Sequence, residues 1–258
     1  MIEYHVRING IQVNASFREQ TVEKIFLPLL HRLTALQKNR GKRILVMLAA
    51  PPGAGKSTLA GFLEQLAREQ KEQDSFQSIG MDGFHRRQEY LVSHCTERNG
   101  RQIPMVEIKG APVTFDLERL TDSVRRVASG ATCGWPVYDR MLHNPVEDAL
   151  TVSGKIILLE GNYLLLNEPG WSELRNYADY TVSVRAEEAF LRERLTDRKI
   201  KTGKDPEEAA RFVDFSDMPN VRLCLEKTAE ADLQLQLDRS GDYQLVSEKK
   251  NGETESGQ

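Results

Sequence analysis

The sequence predicts a three-layer α/β fold, in which a mostly parallel sheet carries helices on both faces, with an N-terminal hairpin and a small lid added. The run at residues 44–48 is apolar throughout and has no polar face, which is typical of a strand covered on both sides, and residues 155–159 and 180–184 predict two further strands of this buried type. Predicted helices lie between these runs, so strands alternate with helices. Ligands of such sheets sit at the carboxyl ends of the strands, where we look for functional residues.

Composition and charge restrict the classes of function. The chain has 258 residues, 40% hydrophobic and 28% charged, as in ordinary soluble globular proteins. A net charge of −3 provides no overall positive field, so we expect neither a nucleic-acid nor a membrane partner. The start of the chain does not resemble a signal peptide, and no apolar run is long enough to span a bilayer. Three widely spaced cysteines argue against disulfides and suit a cytoplasmic protein.

We expect one domain over residues 1–247 and a frayed tail at 248–258. Within residues 1–40, residues 4–15 alternate around Asn9 and Gly10, which predicts a hairpin with a type I′ turn. Residues 19–40 then predict a helix that Pro28 kinks or divides and that Gly41 ends. No chemistry can be assigned to this segment, and its simplest interpretation is a cover for a sheet edge.

The stretch at residues 43–67 predicts a strand, a glycine-containing loop and a helix. Gly53 and Gly55 let the loop backbone approach a ligand, and the new helix adds its positive N-terminal end. Lys56 supplies a cation for outer phosphates, and the Ser57 hydroxyl can ligate magnesium. Ala50 replaces the first glycine of the phosphate-loop pattern G-x-x-x-x-G-K-[ST], which leaves open how the loop begins.

The alternative is a plain strand–turn–helix with a solvated lysine, which has no use for this combination of residues. The predicted nucleotide-binding residues are Pro52, Gly53, Ala54, Gly55, Lys56, Ser57 and Thr58.

Two acidic residues follow predicted strands. Asp82 comes after the strand at residues 77–81, where a carboxylate can orient an acceptor hydroxyl and receive its proton. The alternative is that Asp82 caps the next helix. Glu160 closes the strand at 155–159 and can hold magnesium with Ser57, directly or through water, or can simply face solvent.

The middle of the chain is harder to interpret. Residues 86–115 are polar and weakly periodic, whereas Asp116 begins a helix that ends at Gly130. Residues 135–144 are predicted to be irregular and rich in polar groups. We take His85, Tyr138, Arg140 and His143 as candidate acceptor-binding residues, each with a structural hydrogen bond as the alternative role.

A basic helix is predicted at residues 187–202, within a lid region at 187–215. Arg194, Arg198 and Lys201 share one side of it and could neutralise the charge on a transferring phosphoryl group. A solvated basic face is the alternative. Asp205 begins the next helix, a further helix covers residues 220–229, and residues 233–246 predict a terminal hairpin.

These motifs together resemble the phosphoribulokinase, uridine kinase and bacterial pantothenate kinase group of P-loop kinases, over about residues 43–225. The similarity is greatest to the branch of uncharacterised fructokinase-like members. The similar segments are APPGAGKST at 50–58, MDGFH at 81–85, KGAPVTFD at 109–116, PVYDRMLH at 136–143, LLEGNYLL at 158–165, RERLTDRKIKTGK at 192–204 and DMPN at 217–220.

The resemblance implies the three-layer P-loop nucleoside triphosphatase fold and a catalytic base at Asp82. It also implies an acceptor pocket at Tyr138, Asp139 and His143, and it places Asn220 near nucleotide or substrate. Arg140 stands where uridine kinases carry an aromatic residue, and Pro145 where they carry a further arginine. Sugar, nucleoside and pantothenate-like acceptors all stay open.

We therefore expect an ATP- and Mg²⁺-dependent kinase of a small hydroxyl-bearing metabolite, monomeric or homodimeric. Lys56, Asp82, Arg194 and Arg198 are its predicted catalytic residues. A regulatory nucleoside triphosphatase without a small acceptor is the alternative. A GTPase is disfavoured because the guanine motif Asn-Lys-x-Asp is absent, and the third possibility is a binding module that has lost catalysis.

Overall fold

The structure is a computed structural model that describes residues 1–8, 11–70 and 75–249. The strands are β1 (Ile2–Ile8), β2 (Ile11–Phe17), β3 (Ile44–Ala49), β4 (Phe76–Gly80), β5 (Cys95–Arg98), β6 (Arg101–Pro104), β7 (Cys133–Asp139), β8 (Asn144–Val152), β9 (Ile156–Gly161), β10 (Tyr180–Ala186), β11 (Leu233–Leu237) and β12 (Tyr243–Glu248). The α-helices are α1 (Glu19–Thr21), α2 (Leu27–Arg40), α3 (Lys56–Glu69), α4 (Gln88–Ser93), α5 (Leu117–Ala128), α6 (Glu188–Lys201), α7 (Pro206–Phe212) and α8 (Met218–Lys227). Single π-helical turns cover Val22–Phe26 and Val213–Asp217, and short 3₁₀ helices cover Met81–Phe84, Met105–Ile108, Pro112–Thr114 and Ser172–Tyr177.

The main sheet has the strand order β12-β11-β10-β3-β9-β4. Strands β4, β9, β3, β10 and β11 run parallel to their neighbours, and only the pairing of β12 with β11 is antiparallel. The predicted mostly parallel sheet is therefore confirmed. The predicted terminal hairpin is also present, and it extends this sheet instead of forming one of its own.

The sheet separates two hydrophobic cores. Along β3, Ile44, Val46 and Leu48 belong to the core that contains α2, α3 and α6. Their neighbours Leu45 and Met47, with Ala49, belong to the opposite core, which contains α5 and β7. Successive side chains of a strand point to opposite faces, so a strand buried on both faces must be apolar throughout. This arrangement confirms the predicted three layers.

The N-terminal segment is part of the first core. Tyr4 in β1 and Phe17 in β2 pack against Phe62 of α3, with ring centroids 5.3 and 4.2 Å apart. The segment also contacts the edge strand β12, where Arg32 and Glu248 form an ion pair at 3.0 Å. It therefore covers a helix as well as a sheet edge. The predicted turn at residues 9 and 10 lies outside the described residues.

The predicted helix at residues 19–40 is continuous but irregular. A π-helical turn at Val22–Phe26 joins α1 to α2, and Pro28 occupies the first turn of α2. Proline lacks the N–H that an α-helix needs at this point, so the backbone hydrogen-bond pattern shifts here. Gly41 ends α2 in a left-handed conformation, with φ of 64°.

One element prediction is wrong. Residues 135–144 are not irregular, because they lie mostly in β7 and in its antiparallel pairing with β8. Trp135 anchors this hairpin, since its indole N–H donates to the Gly80 carbonyl at 2.8 Å. Asp139 forms its turn by accepting from the backbone N–H groups of Met141 and Leu142. The polar, exposed sequence of β8 hid this pairing.

The C-terminal helices differ from the prediction in length. The helix predicted at residues 220–229 begins earlier, because α7, the π-helical turn and α8 follow one another without a break. Strand β12 reaches Glu248, and residues 250–258 of the expected tail lie outside the described part of the chain. Among the described residues, no helix has both the length and the apolar character that a membrane span requires.

Candidate active site

The loop between β3 and α3 begins without a glycine. Ala50 is buried and does not adopt a positive φ, and its N–H donates to the Gly161 carbonyl at 3.3 Å. It therefore continues the pairing of β3 with β9 in a conformation open to any residue. This geometry explains how the loop can begin with alanine.

The next two glycines of the loop are required by conformation. Gly53 and Gly55 have φ of 84° and 79°, values that other residues rarely adopt. A Cβ on Gly53 would lie 3.1 Å from Leu195, and one on Gly55 would lie 3.3 Å from the Tyr243 hydroxyl. Tyr243 also donates to the Ala54 carbonyl at 3.3 Å. The loop is therefore held from outside by α6 and β12.

Ser57 and Glu160 meet at the carboxyl ends of β3 and β9. The Ser57 hydroxyl donates to Glu160 Oε1 at 2.7 Å. Burial raises the pKa of Glu160; the charge of Lys56 opposes this shift and the charge of Asp82 adds to it. Lys56 and both acids are thus close neighbours.

This pair of oxygen ligands fits a magnesium ion that takes its other ligands from water and phosphate. Within the described ranges, no cluster of three or more histidine, cysteine or acidic side chains could enclose a metal alone.

Asp82 lies in the 3₁₀ helix that follows β4. It lines one cleft together with Ser57, Tyr138 and Glu160. Its side chain caps neither this 3₁₀ helix nor α4, which removes the alternative role of a helix cap. Gly83 lets the segment lie directly on β7, because a Cβ there would lie 2.0 Å from the Pro136 carbonyl oxygen. The β7–β8 hairpin therefore positions Asp82.

Two arginines of α6 reach the loop and the acid. Arg194 donates from Nε to the Gly53 carbonyl at 2.8 Å. Arg198 is half-buried; burial lowers its pKa, while the charges of Asp217 and Asp82 raise it. Lys201, predicted on the same stripe, is exposed near the end of the helix. The stripe therefore faces the site through its two arginines alone.

The family model described as "PRK: Phosphoribulokinase / Uridine kinase family" matches residues 45–242. The chain belongs to the phosphoribulokinase/uridine kinase family. As a member of this family it is a P-loop kinase, and the predicted family and fold are both confirmed.

Known relatives agree with this assignment. The "Uncharacterized protein YggC" of Escherichia coli (strain K12) is 39% identical over 95% of this chain and 100% of its own. A "Putative uridine kinase" of Schizosaccharomyces pombe is 32% identical over 81% of this chain and 88% of its own. Among solved structures, a "putative fructose transport system kinase" of Silicibacter sp. TM1040 has a TM-score of 0.67 and 28% identity, covering 78% of this chain and 98% of its own.

The predicted acceptor residues of this P-loop kinase are only partly brought together. The imidazole of His85 stacks on Phe115 with ring centroids 3.9 Å apart, and its Nδ1 is buried without a hydrogen-bond partner. Tyr138 lies beside it, with ring centroids 5.3 Å apart. Arg140 is exposed, but its charge affects the pKa values of both. These three residues form one group next to Asp82.

Two further candidates stand apart from this group. His143 is exposed at the hairpin turn with φ of 52°, and only its carbonyl has a described partner, Lys109. Asn220 is buried and donates to the Ser216 carbonyl at 3.0 Å, a bond within its own helix. The structure therefore gives both residues structural contacts and does not place their side chains beside Asp82.

Lys109 is a residue that reasoning from the sequence missed. Its ammonium group donates to Gln88 Oε1 at 2.8 Å and to the His143 carbonyl at 2.9 Å, and it lies 4.9 Å from the centre of the Tyr138 ring. Its segment, KGAPVTFD, was part of the family resemblance, but no spacing rule links residue 109 to residue 138. The available signal was a lone lysine in a polar segment.

Proposed function

We propose that this chain is an ATP- and Mg²⁺-dependent kinase that transfers the γ-phosphate to a hydroxyl group of a small metabolite. The observation that carries the proposal is one rim of the sheet, where Ser57 and Glu160 lie 2.7 Å apart and share a cleft with Asp82. A P-loop, a magnesium-binding pair and an unpaired acid in one cleft are the groups that phosphoryl transfer to an alcohol requires.

Each residue has a proposed role. The loop amides from Pro52 to Thr58 and the ammonium of Lys56 bind the phosphates of ATP. Ser57 and Glu160 hold the magnesium ion, which supplies charge neutralisation for the phosphates. Asp82 orients the acceptor hydroxyl and accepts its proton.

Arg194 and Arg198 lie in the proposed lid at residues 187–215 and neutralise charge on the transferring group. Residues 1–247 form the proposed single domain, in a cytoplasmic protein that is a monomer or a homodimer. Sugars, nucleosides and pantothenate-like compounds are the proposed classes of acceptor.

The decisive test is the variant Asp82→Asn, assayed by ADP release over a panel of hydroxyl-bearing metabolites. Asparagine keeps the shape of the side chain but cannot accept the proton, so acceptor-dependent turnover should fall by a factor on the order of 10² or more. ATP affinity should stay unchanged, because the phosphate loop is not altered.

The exposed Asp197→Asn in α6 is the matched control and should behave as wild type. An Asp82→Asn protein with wild-type turnover would remove Asp82 from its assigned role. Hydrolysis of ATP that no acceptor stimulates would favour the regulatory triphosphatase instead.

A further inference from the structure

The surroundings of Lys109 suggest what the acceptor carries besides its hydroxyl. Lys109 is half-buried and sits between the α4 segment and the β7–β8 hairpin. Both of its hydrogen-bond acceptors, the Gln88 amide and the His143 carbonyl, are neutral. An ammonium group has three donors, so one N–H is left for a further partner.

Several cations in this region make no direct ion pair. In the described part of the chain, no carboxylate lies within ion-pairing distance of Lys109, Arg140 or Arg198. By contrast, Arg192 of α6 pairs with Asp214 at 2.6 Å, and Arg222 of α8 pairs with Glu188 at 2.7 Å. Three cations without a direct ion pair therefore lie near Asp82.

These cations differ in position. Arg198 belongs to α6, beside the phosphate loop, where the phosphates of ATP account for it. Lys109 and Arg140 both lie near Tyr138 and His85, and their charges lower the pKa of the His85 imidazole. The charge of Arg140 also acts on Arg198, so Arg140 lies toward α6. The ammonium of Lys109 has no described contact with the phosphate loop or with α6, so the phosphates of ATP leave it without a partner.

Burial lowers the pKa of Lys109, since a desolvated ammonium is disfavoured. The charge of Glu89 opposes this shift, but its carboxylate does not contact the ammonium. A bound anion would supply the missing counter-charge and hydrogen-bond acceptor.

We propose that the acceptor carries an anionic group, a carboxylate or a phosphate monoester, which Lys109 and Arg140 bind beside Tyr138. This inference rests on the proposed kinase function, because it takes Asp82 as the position of the reacting hydroxyl. It narrows the acceptor to hydroxyl-bearing acids or phosphorylated metabolites. The cations would bind the end of the molecule that does not react.

A binding experiment tests the anion site without turnover. The protein is saturated with Mg²⁺ and a non-hydrolysable ATP analogue, so that the phosphate loop and its arginines are occupied. Methyl phosphate, acetate and the neutral comparison ethanol are then titrated separately, and binding is followed by ligand-observed NMR. Methyl phosphate or acetate should bind and ethanol should not.

Variants locate the site. Lys109→Met and Arg140→Met should each weaken binding of the anionic probe by about tenfold, the loss expected for one charged hydrogen bond. Arg140 has no described side-chain contacts, so its variant does not disturb folding. Exposed Lys155→Met and Arg101→Met are the matched controls and should bind as wild type. The inference would be overturned if the wild-type protein did not bind the anionic probes. It would also be overturned if the Lys109 and Arg140 variants both bound them as tightly as wild type.

A turnover experiment separates this inference from the proposed function. Glucose, gluconate and glucose 6-phosphate share a polyhydroxyl scaffold. Glucose is neutral, gluconate carries a carboxylate, and glucose 6-phosphate carries a phosphate ester. A charged member should have the larger kcat/KM, and the Lys109 and Arg140 variants should lose that advantage through KM. A preference for glucose overturns the anion site while leaving the kinase intact. If Asp82→Asn retains turnover but the anions still bind, the proposed function fails and the anion site stands.

Discussion

His85 shows how one half-buried residue couples stability to pH. Its pKa is lowered to about 4, first by burial and then by the charges of Lys109 and Arg140, against the attraction of Asp82. In the unfolded chain the group titrates near 6.5. Between these values the unfolded chain binds a proton that the folded protein excludes. The contribution of His85 to the free energy of unfolding is therefore fully present above pH 6.5 and is lost as the pH falls toward 4.

We predict that His85→Phe reduces this loss of stability in acid. Phenylalanine keeps the stacking on Phe115 and cannot bind a proton, so the variant should avoid a penalty of about 3 kcal/mol at most. Urea unfolding of both proteins at neutral pH and near pH 4.5 measures the difference. Exposed His31→Phe is the control and should follow wild type. An identical pH dependence for His85→Phe and wild type would contradict this account.

The contact between two elements decides where Asp82 lies. The 3₁₀ helix at Met81–Phe84 rests on β7, and Trp135 of that strand bonds back to Gly80. Phe84 and Trp135 also meet edge to face, with ring centroids 4.8 Å apart. The segment that carries Asp82, the proposed catalytic acid, and the hairpin that bears Tyr138 therefore form one packed unit.

We predict that Gly83→Ala damages turnover more than nucleotide binding. The added Cβ would meet the backbone of Pro136 at 2.0 Å, so the segment that carries Asp82 must move. A shift of this kind should lower kcat by up to about 10²-fold, since positioning errors near 1 Å have such effects.

The control for this variant is Gly61→Ala in α3. The nearest atoms to its Cβ belong to the Tyr4 side chain, with the hydroxyl at 2.5 Å, so Tyr4 must shift but the segment that carries Asp82 is not displaced and kcat should stay near wild type. Steady-state kinetics of both variants measure turnover, and ATP titration measures nucleotide binding. An unchanged kcat in Gly83→Ala would show that this contact does not position Asp82.

For the molecule as a whole, the N-terminal segment packs against the C-terminal strand β12, and through β12 it is connected to the phosphate loop. Phe17 packs on Phe62 of α3 and, at 6.2 Å, on Tyr243 of β12. Thr21 donates to the buried Asp242 at 2.7 Å. Since Tyr243 in turn bonds to the loop at Ala54, the first residues of the chain belong to the same core as the nucleotide site.

We predict that Phe17→Ala lowers the free energy of unfolding by about 3–5 kcal/mol, the cost of truncating a buried phenylalanine. Thermal unfolding should shift as one cooperative transition if residues 1–40 belong to the same domain. Val92→Ala, at a side chain that is 59% exposed, should leave the transition unchanged. A separate early transition, with the rest of the protein unaffected, would show that the N-terminal segment is an independent unit.

Much of the fold and part of the site are predictable because their signals are local. The phosphate loop needs glycines, a lysine and a hydroxyl within a few residues, and buried strands need apolar runs of fixed length. Asp82 and Glu160 were found because each directly follows a strand that the sequence predicts, at residues 77–81 and 155–159. Backbone conformation at such points depends mainly on neighbouring residues in the chain.

The tertiary structure alone decided which distant side chains meet. Ser57 reaches Glu160 across 103 residues because β3 and β9 pair in one register. Lys109 reaches Tyr138 because its segment packs on the β7–β8 hairpin, where its ammonium also donates to the His143 carbonyl. No periodicity in the sequence records these contacts, and the exposed pattern of β8 even conceals its pairing. Proximity between remote segments follows from strand register and packing, whose energies depend on surfaces that form only when the chain has folded.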